Sequence, residues 1–107
     1  MELRQYKIVT VNLDPTIGSE IKKTRPCVII SPDEMNEHLS TLVIAPMTSN
    51  KRKYPTRVKV NYEGKVGMIV LDQIRTIDKM RIVNVGGEIS TKEIVELKLV
   101  LKKTYVE

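Results

Sequence analysis

Seven polar residues lie where runs of aliphatic and β-branched residues begin, break or end: Glu20, Arg25, Thr48, Ser49, Asp72, Gln73 and Arg75. Arg25 stands directly before Pro26 and the apolar run Cys27 to Ile30. Its guanidinium keeps its charge and offers a planar fork of donors, which suits the charge on a phosphoryl group. A threonine hydroxyl can donate to the same oxygens. In an antiparallel sheet the start of one strand lies beside the end of its neighbour, so Arg25 entering one strand and Thr48 leaving another can meet. Pro26 favours an extended backbone at Arg25, and the apolar run behind it anchors the aim of the side chain. A purely structural reading of the same residues also stands, with Arg25 paired to Glu20, Thr48 an edge-strand hydroxyl, and Asp72 with Arg75 a salt bridge near the sheet edge.

Other chemistries are excluded or disfavoured. No histidine or cysteine pair has zinc spacing, and neither a phosphate-binding G-x-x-x-x-G-K-[ST] nor a dinucleotide-binding G-x-G-x-x-G is present. No metal or cofactor is expected. The one histidine, His38, sits among Glu34, Glu37 and Ser40 and reads as an exposed structural residue; acid–base chemistry built on two histidines is excluded. Cys27 has no partner for an internal disulfide and behaves as a small hydrophobe. No apolar stretch approaches the roughly 20 residues of a membrane span, and "MELRQYKIV" lacks the apolar core of a signal peptide, so a reducing cytoplasm is the expected compartment. A net charge of +5 favours a polyanionic or acidic partner. Four tyrosines, with no phenylalanine or tryptophan, leave little for gripping single strands on aromatic platforms.

The elements that must position these residues read as one domain over residues 1–107. Tyr6 to Leu13 is a strand, with Val9, Val11 and Leu13 on one face and Tyr6 and Ile8 on the other. A loop opened by Asp14-Pro15 carries Ser19, Glu20, Lys22 and Lys23 up to Arg25. Cys27 to Ile30 reads as a strand covered on both faces. A polar connection, with room for a helical turn, leads to Thr41 to Ala45, where Pro46 predicts an edge, a bulge or the strand's end. After the basic loop "NKRKYP", Thr56 to Tyr62 alternates with Val58, Val60 and Tyr62 inward. Gly67 to Ile77 is the longest β-like run. From Ser90 the period turns helical, opened by the capping box Ser90/Glu93, with Ile94, Leu97, Leu101 and Tyr105 on one face. Five strands and a helix predict a small, strongly bent antiparallel sheet or barrel with the helix packed on it.

Three stretches in this order, "DPTIGSEIKKTRPCVIISPDEMN", "APMTS" and "LDQIRTIDKMRI", resemble the motifs of the PemK/MazF family of toxin endoribonucleases, and the resemblance covers nearly the whole chain. It implies an SH3-like antiparallel β-barrel with a C-terminal helix, a homodimer, and sequence-specific, metal-independent cleavage of single-stranded mRNA that inhibits translation and growth. It implies Arg25 and Thr48 as the catalytic pair. It matches Ser19 and Glu20 to the RNA-contacting loop and Asp72 and Gln73 to the family's D-Q pair. Lys22, Ser49, Lys51 and Arg52 are expected to join these in binding substrate, the loop Lys51-Arg52-Lys53 as a wall for the RNA backbone. In the PemK/Kid branch an arginine stands two residues before the D-Q aspartate; here Val70 stands there, which leaves the MazF-type pair.

Metal-free RNA cleavage uses the 2′-hydroxyl as nucleophile and leaves a 2′,3′-cyclic phosphate and a 5′-hydroxyl, with charge on phosphorus to be stabilised and two protons to be moved. Arginine is a poor base at its ordinary pKa, and Glu20 is the chemically easier one. The expected protein partner is an antitoxin whose acidic, partly disordered C-terminal segment lies across the cationic cleft. Two other classes stand beside the nuclease: a non-catalytic or gyrase-directed binding module on the same barrel, and an antitoxin-bound regulatory scaffold.

Overall fold

The computed structural model describes residues 2–21 and 23–107. Lys22, expected to contact substrate, lies outside them. The elements run β1 (Lys7–Asn12), β2 (Thr24–Ile29), α1 (Asp33–His38), β3 (Thr41–Thr48), β4 (Arg57–Tyr62), β5 (Lys65–Val70), a 3-10 turn (Leu71–Gln73), β6 (Arg75–Asp78), a second 3-10 turn (Lys79–Arg81), β7 (Ile82–Glu88) and α2 (Thr91–Tyr105). All strand pairs are antiparallel, in the order β4-β5-β3-β2-β1-β7, with β6 on the first half of β3. This is the curled β-sheet with a C-terminal helix that the sequence predicts.

Seven strands replace the five read from the sequence, for two reasons. The run Gly67 to Ile77 is broken by the 3-10 turn at Leu71–Gln73, so β5 pairs the end of β3 (Met47, Thr48) and β6 pairs its beginning (Thr41 to Ile44). Strand β7, "IVNVGGE", carries two glycines and alternates poorly, and its pairing with β1 includes register shifts, so it has little periodic signal of its own. Pro46 is accommodated inside β3, buried opposite Cys27, where the far edge of β3 passes from β6 to β5. A residue without an N–H is least disruptive at such a handover.

The curl creates two apolar clusters from alternate faces of the same strands. One gathers Ile8, Val28, Ala45, Met47, Val58, Val60, Ile69 and Leu71 under Leu97 of α2. The other gathers Val9, Val11, Leu13, Cys27, Ile29, Leu42, Ile44 and Ile77. Strand β2 therefore has apolar side chains on both faces, as its unbroken apolar run predicts. The capping box forms: Glu93 N–H donates to Ser90 Oγ at 3.1 Å and Ser90 N–H to Glu93 Oε1 at 2.8 Å. Glu93 Oε2 also accepts from Asn61 N–H at 2.8 Å, which ties the start of α2 to β4. At the other end Tyr105 donates its phenol to Leu71 O at 2.5 Å. Helix α2 is thus held at both ends across the larger cluster.

Candidate active site

Arg25 is the second residue of β2 and Thr48 the last of β3. The observed register pairs Cys27 with Pro46. Two residues further along, the same register sets Arg25 opposite Thr48, on the same face of the sheet. Both line one groove of about 390 Å³, together with Ser49, Thr10 of β1 and Asn84 of β7. The facing side comes from the β4–β5 hairpin, through Tyr62, Glu63, Lys65 and Gly67.

Two backbone features shape that groove. Glu63 and Gly64 have φ of 51° and 75°, the left-handed pair of a two-residue hairpin turn, which sets the Glu63 side chain at the groove rim. Gly67 lies against Thr48 so closely that a Cβ there would sit 2.7 Å from Thr48 O. Glycine therefore lets β5 approach the end of β3 and fixes where Thr48 stands. Local sequence alone gives Glu63, Tyr62 and Gly67 no place in the site. The signal was the Tyr62–Lys65 turn itself, whose chemistry is visible only once the sheet has curled it over β3.

Between the strands, Cys27 is fully buried and its thiol is pushed up to about 12, chiefly by desolvation; the positive charges of Arg75 and Arg25 partly offset this. The charges of Arg25, in β2 itself, and of Arg75, in β6, thus both act on one buried sulfur. Tyr62, half-buried in the groove, has its phenol pKa raised by burial first and then by the charge and hydrogen bond of Glu63.

Ser19, Glu20, Asp72, Gln73 and Arg75 line a second groove of about 430 Å³, whose wall includes Pro46, adjacent in β3 to the Met47 and Thr48 of the first. The two sets of expected site residues thus occupy neighbouring hollows along one strand end. Several second-groove side chains are already engaged. Glu20 Oε1 accepts from Ile17 N–H at 2.5 Å, within its own loop. Gln73 Oε1 accepts from Ile21 N–H at 2.9 Å. Asp72 Oδ2 accepts from Thr56 Oγ1 at 2.5 Å and lies 3.7 Å from Arg57 Nε. Arg75, read from the sequence as the partner of Asp72, instead donates from Nη1 to Leu13 O at 2.9 Å. The ion partner of Asp72 is Arg57, which also stacks over Tyr54 at 4.5 Å.

The basic loop is exposed. Lys51 and Lys53 line a third hollow with Lys59, Val66 and Met68, and Val66 also lines the groove of Arg25 and Thr48. Arg52 lies 5.8 Å from the centroid of the Tyr54 ring. A line of cationic side chains therefore leads away from the first groove.

Known proteins share this fold and much of this sequence. A profile described as the PemK-like, MazF-like toxin of type II toxin–antitoxin systems matches residues 4–105. The chain is 37% identical to an Endoribonuclease MazF of Staphylococcus epidermidis over 86 residues, covering 75% of this chain and 72% of that protein. Among solved structures it superposes on MazF of Deinococcus radiodurans with a TM-score of 0.88 at 23% identity, over 100% of this chain and 99% of the other. It also superposes on a chain of a MazE-MazF structure from the same organism, with a TM-score of 0.79 at 20% identity, over 100% and 99% of the two chains. At these identities the superpositions speak for the fold, and the profile and the curated relative speak for descent: the chain belongs to the PemK-like, MazF-like toxins of type II toxin–antitoxin systems.

Proposed function

We propose that this protein is the endoribonuclease toxin of a toxin–antitoxin pair and that it cuts single-stranded mRNA in the groove shared by Arg25 and Thr48. The observation that carries this reading is that the two residues, 23 positions apart in the chain, line one groove from adjacent strand ends. In that groove Arg25 stabilises the charge that develops on the phosphoryl oxygens, with Thr48 and Ser49 as hydroxyl donors to the same group. The 2′-oxygen bonds to phosphorus as the bond to the 5′-oxygen breaks; one proton leaves the 2′-hydroxyl and one reaches the departing 5′-oxygen. The products are a 2′,3′-cyclic phosphate and a 5′-hydroxyl.

The base in this reading is Glu63 rather than Glu20. Glu63 is the one carboxylate among the described residues lining the groove of Arg25, whereas Glu20 lines the neighbouring one and is held by Ile17 N–H. The step so written needs no resident metal, because the Arg25 guanidinium supplies the positive charge at the phosphoryl oxygens. The protein acts as a homodimer in the cytoplasm, and its antitoxin lays an acidic segment across the cationic groove. Solved structures of similar fold include MazE-MazF assemblies and an endoribonuclease with its cognate antitoxin, which is in keeping with such a partner.

The test is incubation of the purified protein with a long single-stranded RNA in EDTA. Discrete, sequence-dependent cuts ending in cyclic phosphate are expected, with Arg25→Ala slowed by about 10² to 10³. Glu63→Gln should lower kcat by about 10² or more, while Glu20→Gln should leave kcat within about threefold of the parent. Bound but intact RNA would make the protein a binding module instead.

A further inference from the structure

Asp72 and Gln73 are neighbours in the 3-10 turn Leu71–Gln73, yet their side chains hold two different loops. Gln73 Oε1 takes the Ile21 N–H at 2.9 Å and so fixes the end of the loop that carries Ser19 and Glu20. Asp72 Oδ2 takes the Thr56 hydroxyl at 2.5 Å and faces Arg57 Nε at 3.7 Å, fixing the end of the loop that carries Lys51, Arg52 and Lys53. Arg57 Nε is buried with no hydrogen-bond partner, so the Asp72 carboxylate is the charge that stabilises it there. The turn itself is anchored from behind: Leu71 is fully buried, Leu71 N–H donates to Thr56 O at 3.1 Å, and Leu71 O accepts the Tyr105 phenol at 2.5 Å. One rigid three-residue turn thus sets both loop ends relative to β3.

The geometry points to Asp72 and Gln73 as positioning residues that set the spacing of the two substrate-facing loops, and thereby which RNA sequence is held, rather than as residues that touch the scissile phosphate. Gln73 Oε1 and Asp72 Oδ2 are already engaged with the loops, and both residues line the hollow next to the groove of Arg25 and Thr48. This rests on the proposed RNA cleavage. A side chain that only places a loop affects how substrate is bound more than how fast bound substrate reacts.

The experiment pairs amide exchange with kinetics on an RNA oligonucleotide spanning one mapped cut. Gln73→Leu removes the acceptor at similar size, and Gln73→Glu restores an acceptor oxygen; Asp72→Leu and Asp72→Asn form the matching pair for the other loop. Gln73→Leu is expected to speed exchange at Ile21 by about tenfold while the core of α2 stays protected. It should raise KM by about tenfold, with kcat within about threefold, and broaden the set of cut sites. Gln73→Glu should return exchange and KM toward the parent. Asp72→Leu should loosen Arg57 and its neighbours in the same way, with Asp72→Asn intermediate because it keeps the Thr56 bond and loses the charge facing Arg57. Unchanged exchange in the Leu variants, a loss confined to kcat, or Glu behaving like Leu at position 73 would overturn the proposal. If the parent protein cuts no RNA, the proposed function fails, and the exchange comparison still decides whether the turn positions the loops.

Discussion

At the scale of single residues, the interest of the site is how few charged groups face one another across it. Arg25 has its aim set by Pro26 and by the fully buried Cys27 behind it. That cysteine also gives the protein a pH response. Its thiol is raised from an ordinary 9.0 to about 12, so the buried group stays protonated where the unfolded chain would ionise. A raised pKa contributes stability that is fully present below about pH 9 and is lost as pH climbs towards 12; the slope is at most about 1.4 kcal/mol per pH unit. Tyr6, Tyr62 and Tyr105, all raised by burial, act in the same direction above about pH 10. Denaturant melts of the parent and of Cys27→Ala from pH 7 to 11 should show the parent losing stability more steeply above pH 9. Equal slopes would mean that the thiol is not held neutral.

The site depends at the scale of elements on how β5 meets β3. Gly67 has room for no Cβ, since one would stand 2.7 Å from Thr48 O. Gly67→Ala must therefore push the end of β3 away, taking Thr48 and Ser49 with it. We expect a loss of about tenfold or more in cleavage, with a stability cost of about 1–3 kcal/mol for the overpacking. Thermal melts and cleavage rates on the same preparation test this, and an alanine variant with parental activity would show that Thr48 needs no fixed place. Little of this contact was legible beforehand. The capping box, the inward faces of β1 and β4 and the double-sided burial of β2 follow from local periodicity, which a sequence displays directly. The break at Leu71–Gln73 and the strand β7 are not legible in the sequence because neither has a periodic signature: Asp72 and Gln73 look like polar residues inside a strand until the loops they hold are seen.

For the whole molecule the proposed cleavage raises the question of how a chain with no Phe or Trp and four tyrosines would grip a polyanion. The layout answers with charge. The hollow of Lys51, Lys53 and Lys59 meets the groove of Arg25 and Thr48 at Val66. RNA binding should accordingly be salt-sensitive. Replacing Lys51, Arg52 and Lys53 by glutamine should weaken it and reduce the slope of log K against log salt by about 2, since each single-strand phosphate contact contributes about 0.7. An unchanged slope in a fluorescence titration would remove that loop from the RNA path. Among the described residues no helix is long and apolar enough to cross a membrane.

By itself the sequence determined the strands with strong alternation or unbroken apolar runs, the capped C-terminal helix and the family motifs, and it set Arg25 and Thr48 at strand ends that can meet. These follow from local chemistry and from the rule that antiparallel neighbours meet end to start. Only the tertiary structure decided that the second set of site residues faces a separate hollow, that Asp72 answers Arg57 rather than Arg75, and that Glu63 joins Arg25. Each of these depends on how far the sheet curls. Curl is a sum of small twists over seven strands, and it brings together side chains whose separation along the chain carries no information about their distance in space.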